Sequence, residues 1–145
     1  MRRILLSLFV FAIFLFPSVA KADPITPHSK YAGILPDIYY DKLARCETGS
    51  NWKHSTKSYT GGLGIYRGTW RHWSGSQSAL GKSPKQQVKV ADNIAFLGYT
   101  KNGVYKPPVG PWGWGCVKHH KYISVYICQS KNPIVKKYKR RCQSG

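Results

Sequence analysis

The four cysteines of this chain limit the folds that it can adopt. They are Cys46, Cys116, Cys128 and Cys142. An even number of cysteines in an exported protein is typical of disulfides, and four cysteines allow three different pairings. No two of them have the C-x-x-C spacing of a structural zinc site, and the adjacent side chains of His119 and His120 point apart. We therefore predict two disulfides, no metal site, and a small domain stapled by these bonds.

Residues 1–22 have the pattern of a secretory signal peptide. A basic start at Arg2 and Arg3 precedes an almost unbroken apolar run over 4–16 and a small-x-small cleavage site, Ala-Lys-Ala, at 20–22. The alternative is a retained membrane span, but the run is shorter than the roughly 20 residues that a helix needs to cross a bilayer. We predict export with cleavage, which leaves a secreted protein without a stable membrane span.

Basic residues greatly outnumber acidic ones. The formal charge is +18 at pH 7, and it falls to +15 when the three cations of the predicted signal peptide are removed. Outside a cell, such a protein is attracted to acidic wall polymers, anionic lipid surfaces or free nucleic acid. The densest cations form the basic run near the C terminus: Lys136, Lys137, Lys139, Arg140 and Arg141. Because no nucleic-acid recognition motif accompanies the basic run, we predict no specific nucleic-acid partner; the alternative is that the charge confers solubility alone.

Two stretches carry the apolar spacing of amphipathic helices. In residues 36–48, apolar side chains recur at i, i+4 and i+7, and Gly49 stands where a glycine commonly ends a helix. Residues 84–97 begin with a serine-proline start and a capping box, and apolar side chains follow at spacings of three and four. Residues 23–35 contain prolines and no period, which indicates a flexible linker before the first helix.

The remaining patterns are shorter. Glycine-rich residues 58–66 predict a tight hairpin, or backbone that passes close to another segment, and a short helix is expected over 68–73. Residues 102–115 are interpreted as an irregular aromatic loop. Alternating apolar residues predict a strand over 122–128 and a second short strand at 134–135. The fold class expected from these elements is α+β, mainly α.

The chain contains a single glutamate, Glu47, at the end of the first predicted helix. The free carbonyl groups at a helix C terminus disfavour a nearby carboxylate, and burial against Trp52 or Tyr59 would do so further. Both effects raise the pKa of the carboxyl group, as a general acid working near neutral pH requires.

A second carboxylate close to Glu47 is not predicted. Asp41 would be rotated by roughly 240° around the helix, and Asp37 would lie roughly 15 Å away along its axis, given about 1.5 Å per residue. Asp92 falls off the apolar stripe of the second helix and is interpreted as a solvated surface residue. Glu47 is therefore expected to work as a single acid.

Five blocks of sequence, in this order, resemble the transglycosylase-like domain of resuscitation-promoting factors. They are YDKLARCETGSNW at 40–52, YTGGL at 59–63, GTW at 68–70, QQVKVADNIA at 86–95 and GWGC at 113–116. The resemblance covers residues 38–117. It implies a small, lysozyme-like catalytic domain over 36–117 that has a short β-hairpin, needs no cofactor, acts as a monomer and cleaves the glycan strands of peptidoglycan at the cell wall.

Individual roles follow from the resemblance as well. Glu47 matches the catalytic glutamate of the family, and Cys46 with Cys116 matches its disulfide. That pairing would leave Cys128 with Cys142 and close the basic tail, residues 118–145, on itself. Six side chains are candidates for substrate binding, with ordinary core aromatics as the alternative: Trp52, Tyr59, Tyr66, Thr69, Trp70 and Trp114.

The chain departs from the family at several positions. Gly64 and Tyr66 replace residues that are commonly polar, residues 99–111 form an insertion, and the tail has no counterpart. With one glutamate available, the resemblance implies a lytic transglycosylase acting on the MurNAc–GlcNAc β-1,4 bond, and lysozyme-type hydrolysis is the alternative. The tail is expected to bind anionic wall polymers. A rival hypothesis is a cationic effector that binds the cell wall or a membrane and whose enzyme fold is vestigial.

Overall fold

The computed structural model describes residues 29–143, so the predicted signal peptide and the first part of the predicted linker lie outside the described residues. The described elements are α1 (Asp37–Thr48), β1 (Tyr59–Thr60), β2 (Ile65–Tyr66), α2 (Arg67–Ser74), α3 (Pro84–Leu97), β3 (Tyr99–Lys101), β4 (Val104–Lys106), a 3-10 helix (Gly110–Gly113), α4 (Gly115–His119), α5 (Lys121–Gln129), α6 (Pro133–Lys136) and a second 3-10 helix (Lys139–Gln143). The predicted α+β, mainly α class is confirmed. No described helix is long and apolar enough to cross a membrane.

Helices α1 and α3 form the centre of the core, as their spacing predicts. Leu43 of α1 and Val88 of α3 are fully buried. Gly49 ends α1 with a φ of 65°, a left-handed conformation that glycine adopts without strain. The capping box at the start of α3 is present in both directions between Ser83 and Gln86. These ends fix where each helix starts and stops, and they place Glu47 in the last turn of α1.

The predicted hairpin of the glycine-rich segment is confirmed. Strands β1 and β2 pair antiparallel, with Tyr59 opposite Tyr66. The turn also passes close to another segment, because a Cβ atom on Gly62 would lie 2.7 Å from the ring of Trp52. The buried Gln87 ties these loops together: its side chain accepts from Gly62 N–H at 2.9 Å and donates to the carbonyl oxygen of Trp52 at 2.9 Å.

A second hairpin lies where the sequence analysis expected an irregular loop. Strands β3 and β4 pair antiparallel across Asn102 and Gly103, whose φ values are 51° and 76°. Asn-Gly is a favoured two-residue hairpin turn because both positions need a positive φ. The loop prediction over 102–115 is thus wrong for its first part, which begins with this turn. We call residues 99–106 the cleft hairpin.

The strands predicted at 122–128 and 134–135 are wrong, because both segments are helical. Ile123 and Ile127 are fully buried and lie four residues apart, so they share one face of α5 and pack against the core. Strand-like alternation would instead have required Val125 to be equally buried, and it is only half-buried. Asn132 caps α6 by accepting from Ile134 N–H at 2.9 Å. We call residues 115–143 the C-terminal cap.

Residues 29–35 are packed, in contrast to the flexible linker predicted over 23–35. Tyr31 and Leu35 are 2% and 3% exposed. The Asp37 carboxylate accepts hydrogen bonds from the hydroxyl of Ser29 and from Tyr31 N–H, at 2.8 and 3.1 Å. The sequence showed no period here because the segment folds as an irregular strap held by side-chain to backbone bonds.

Candidate active site

A cleft of about 690 Å³ opens beside the end of α1. Its floor contains Ile94 and Ala95 of α3. One wall is formed by the first hairpin with Tyr59 and Tyr66, and the cleft hairpin supplies another. The segment that leads into the C-terminal cap closes the remaining side. We refer to this space as the cleft.

Glu47 lines the cleft and is half-buried. One of its carboxylate oxygens accepts a hydrogen bond from Cys116 N–H at 3.2 Å. Burial raises the pKa of Glu47, and the hydrogen bond from Cys116 N–H acts in the opposite direction. The direction agrees with the sequence prediction. A carboxyl group with a raised pKa holds its proton closer to neutral pH, which suits a general acid.

The disulfide between Cys46 and Cys116 holds this arrangement together. Cys46 precedes Glu47 in α1, and Cys116 supplies the backbone donor to the Glu47 carboxylate, so one covalent bond fixes donor and acceptor relative to each other. The second disulfide joins Cys128 to Cys142 within the C-terminal cap. Of the three pairings that the sequence allowed, the structure has the one implied by the family resemblance.

Gly64 lies beside Glu47 in the cleft, and the aromatic rings of Tyr59 and Tyr66 line the same space. A Cβ atom on Gly64 would lie 3.5 Å from a carboxylate oxygen of Glu47, and Gly64 has a φ of 60°. Tyr59 and Tyr66 meet edge to face at 6.2 Å and are 50% and 40% exposed. Exposed rings at the mouth of a cleft can stack on the apolar faces of sugars. Glycine at 64 leaves the space beside the carboxylate open.

Four of the six predicted substrate-binding side chains line the cleft: Tyr59, Tyr66, Thr69 and Trp114. Trp114 also donates its indole N–H to the carbonyl oxygen of Leu63 at 2.9 Å, which ties the closing segment to the first hairpin.

Trp52 and Trp70 are not among the residues that line the cleft. Trp52 packs on Gly62 and lies 5.4 Å from the ring of Tyr31. Trp70 is 1% exposed and donates its indole N–H to Ser76 Oγ at 3.1 Å. Both tryptophans support the shape of the hairpin and of α2, so they match the core alternative that the sequence analysis left open.

Asp92 is buried, which corrects its interpretation as a solvated residue. It is 8% exposed and accepts hydrogen bonds from Tyr40 Oη at 2.6 Å and from Ile34 N–H at 2.9 Å. Burial raises the pKa of Asp92 to about 6, although both hydrogen bonds act to lower it. Asp92 does not line the cleft, and among the lining residues Glu47 is the one carboxylate.

Sequence reasoning missed three polar side chains that line the cleft, His54, Tyr99 and Lys101. Tyr99 and Lys101 belong to the cleft hairpin, and the Asn-Gly turn would have revealed that hairpin. His54 stands in a polar loop whose sequence carries no comparable signal.

One group of potential metal ligands occurs in the described part of the chain. Cys46, Cys116 and His120 lie together, with ligand atoms within 4.8 Å of one another. The two sulfur atoms form a disulfide and therefore lack the thiolate that binds metal. The absence of a metal site stays a prediction.

Known proteins with similar sequences indicate the class of protein to which this chain is related. Residues 36–103 match the family model of the transglycosylase-like domain. The chain is 37% identical over 82 residues to resuscitation-promoting factor RpfE of Mycobacterium tuberculosis, covering 56% of this chain and 44% of the relative. It is 46% identical over 59 residues to RpfD of the same species, covering 40% and 38%. A resuscitation-promoting factor of Corynebacterium glutamicum is 31% identical over 80 residues, covering 52% and 21%.

These matches define the class of the chain, which contains a transglycosylase-like domain. More particularly, the domain is similar to parts of resuscitation-promoting factors, to two of which it is 37% and 46% identical over the matched segments. The matched segment spans less than half the length of each of these relatives. No solved structure matches the chain significantly.

Proposed function

We propose that this protein cleaves the glycan strands of peptidoglycan at the β-1,4 bond between N-acetylmuramic acid and N-acetylglucosamine. The observation that carries the proposal is Glu47, a half-buried acid with a raised pKa and the one carboxylate lining a cleft of about 690 Å³. The match of residues 36–103 to a transglycosylase-like domain supports action on a glycan, and the exposed aromatic rings of the cleft suit a saccharide.

In the proposed reaction, Glu47 acts first as an acid and then as a base. Its carboxyl proton passes to the oxygen of the glycosidic bond, and the bond from that oxygen to C1 of the muramic acid breaks. The resulting carboxylate accepts the proton of the muramic 6-hydroxyl while O6 bonds to C1. The product is a 1,6-anhydro sugar, no water is consumed, and Glu47 regains its proton. The acetamido group of the substrate stabilises the positive charge at C1.

The single carboxylate favours this route over hydrolysis by two acids. Glycosidases that use two acids place their carboxyl groups about 5–10 Å apart across the bond. Asp41 is engaged on the outer face of α1 by Lys30 Nζ at 3.1 Å. Asp92 is held by Tyr40 and Ile34 N–H below the surface. Neither side chain lines the cleft, so the substrate's own groups must supply the second function.

Digestion of purified peptidoglycan tests the proposal. The wild-type protein should release fragments with 1,6-anhydro ends, identified by mass spectrometry as one water lighter than reducing ends. Glu47→Gln, which keeps the shape of the side chain, should lose activity by at least about a thousandfold because proton transfer and charge stabilisation are both removed. Asp41→Asn serves as the matched control and should retain activity.

Two results would contradict the proposal in different ways. Reducing ends that carry an added water would replace the transglycosylase route with hydrolysis. Full activity of the Glu47→Gln protein would remove Glu47 from the mechanism.

Secretion and retention at the wall are part of the same proposal. The leader pattern of residues 1–22 supports export. Lys136, Lys137 and Arg140 are exposed in the C-terminal cap and are not among the residues that line the cleft. We propose that the basic run binds anionic wall polymers while the cleft processes the glycan.

A further inference from the structure

The cleft hairpin is hydrogen-bonded to the rest of the domain at the end of α3. Tyr105 Oη donates to the carbonyl oxygen of Leu97 at 2.8 Å, and the indole N–H of Trp73 donates to the carbonyl oxygen of Gly98 at 2.8 Å. Gly98 has a φ of 89°, and a Cβ atom there would lie 2.5 Å from the carbonyl oxygen of Lys106. The two hydrogen bonds and this close approach hold the hairpin at the end of α3. Its side chains Tyr99 and Lys101 therefore form one wall of the cleft.

Lys101 is the cation that this wall contributes. It lines the cleft together with Glu47, and its Nζ lies 6.0 Å from the centre of the Tyr66 ring. The one salt bridge among residues 29–143 joins Lys30 and Asp41, so Lys101 has no carboxylate partner within the described part of the protein. A cation without a partner on a saccharide cleft is available to an anionic group of the ligand.

The side chains around Lys101 indicate which class of anionic ligand could bind there. Tyr66 and Tyr99 flank it in the cleft and offer ring faces and hydroxyl groups. Lysine presents a compact point charge on a flexible stem, which pairs well with a single carboxylate. In peptidoglycan, carboxylates occur on the muramic acid units, either as the free lactyl group or on the peptide that is attached to it, and not on N-acetylglucosamine.

We propose that Lys101 binds a carboxylate carried by the muramic acid substituent, and that the cleft hairpin makes the enzyme selective for acidic glycan strands. This inference rests on the proposed function, because it assigns the ligand of the same cleft. In this arrangement Tyr66 stacks on a sugar ring and Lys101 pairs with the acidic substituent beside it. A neutral polymer of N-acetylglucosamine would make the first contact and lack the second.

Binding measurements in the inactive Glu47→Gln background test the inference. Three probes are compared: a neutral chitin hexasaccharide, peptide-free glycan fragments with free lactyl carboxylates, and fragments that carry peptide stems. Lys101→Gln should weaken binding of an acidic probe about fivefold at low salt and leave the neutral probe unchanged, since an exposed ion pair contributes that order of affinity. The difference should shrink as salt is added. The probe whose affinity falls identifies the source of the carboxylate.

Two further variants separate charge from shape. Lys101→Arg retains the positive charge and should restore most of the affinity. Lys106→Gln removes a cation from the same hairpin, and because Lys106 does not line the cleft, its affinities should match those of the parent protein. Equal loss of affinity for neutral and acidic probes, or equal effects of the two lysine-to-glutamine variants, would overturn the inference.

The outcome for this inference is distinct from the outcome for the proposed function. If wild-type protein cleaves peptidoglycan and Lys101→Gln shows no selective loss for acidic probes, the carboxylate subsite is wrong and the activity stands. If wild-type protein cleaves no peptidoglycan, the proposed function is wrong whatever Lys101 does.

Discussion

The central scaffold, residues 36–97, and the C-terminal cap contribute to the same cleft in different ways. The scaffold supplies the catalytic candidate Glu47 and lies within the matched segment 36–103. The cap lies outside that segment, yet it supplies Cys116 N–H to the Glu47 carboxylate. The scaffold thus carries the candidate acid, and the cap, whose recognisable pattern ends at Cys116, holds that side chain in place.

Packing runs continuously from scaffold to cap. Ile127 of the cap is fully buried, and Asn132 donates to the carbonyl oxygen of Ile34 at 3.4 Å. Phe96 of the scaffold meets Tyr138 of the cap edge to face, with ring centroids 5.6 Å apart. The predicted boundary at residue 117 therefore falls inside a shared core. The difference between the regions lies in their sequence signals more than in their structural importance.

Replacing each disulfide in turn gives the strongest test of the comparison between scaffold and cap. The bond between Cys46 and Cys116 spans a sequence separation of 70, and that between Cys128 and Cys142 spans 14. Loop-closure entropy predicts losses of about 4 and about 3 kcal/mol when each pair is replaced by alanine. Urea unfolding measures both. Activity per folded molecule should fall only for the first pair, because that bond also positions Glu47.

A matched assay keeps stability and positioning apart. Both double variants are assayed at a temperature where circular dichroism shows them folded. If activity per folded molecule falls equally for the two variants, the positioning role of the bond between Cys46 and Cys116 is wrong.

Ile127 tests whether the cap belongs to the core. Ile127→Ala should destabilise the protein by about 3 kcal/mol, because it leaves a cavity in a site that is fully buried. Ile134, which is 46% exposed in the same region, provides the control, and its replacement by alanine should cost less than about 0.5 kcal/mol. Thermal or urea unfolding compares the two. Similar small losses would show that the cap contributes little to folding.

The fold was predictable where local periodicity and burial agree. Residues 84–97 have both a capping box and one apolar stripe, and α3 has the bounds that the sequence predicts. Residues 122–128 satisfy two periods at once, since 123 and 127 fit a helix while 123, 125 and 127 fit a strand. Packing against α1 decides between them, and a single sequence contains no record of that packing.

The sequence predicted the candidate acid, which lines the cleft, and predicted the walls of the cleft only in part. Glu47 stood out because the chain has one glutamate, and the family blocks assigned its role. Whether an aromatic side chain faces the cleft or the core depends on tertiary contacts, which is why Tyr59 lines the cleft and Trp70 does not. The environment of Asp92 escaped prediction because its partners, Tyr40 and Ile34 N–H, are more than 50 residues away in sequence.

The buried Asp92 should make the stability of the scaffold depend on pH. Burial raises the pKa of Asp92 from 3.8 to about 6. The folded protein then binds the proton more tightly than the unfolded chain, so this group's contribution to stability is greatest below about pH 4 and is lost as the pH rises towards 6. The loss should be on the order of 3 kcal/mol.

Asp92→Asn isolates this effect, because asparagine does not titrate. The free energy of unfolding of the wild type, relative to that of the variant, should fall between pH 4 and pH 7. Altered hydrogen bonds in the variant change its free energy of unfolding by the same amount at every pH. They therefore do not change how the difference between wild type and variant varies with pH. Asp41→Asn, on the exposed face of α1, is the control. Parallel pH profiles for wild type and Asp92→Asn would contradict the assignment.

The smallest expected effect concerns the basic run of the cap. Replacing Lys136, Lys137 and Arg140 with glutamine should weaken retention on walls that carry anionic polymers by about fivefold at low salt, because exposed charge pairs are individually weak and screened. These side chains are exposed, so the variant keeps the buried Val135 that a truncation would remove. Sedimentation with isolated walls, with and without their anionic polymers, provides the measurement.

The matched control replaces Lys82, Lys85 and Lys89 with glutamine. Lys82 precedes α3, the other two lie within it, and all three are exposed. Both variants lose three positive charges. If net charge alone drives retention, the two variants will lose it equally and the basic run has no special role. A larger loss from the cap variant, confined to walls that carry anionic polymers, would show that the cap holds the enzyme at the wall while the scaffold and its cleft act on the glycan.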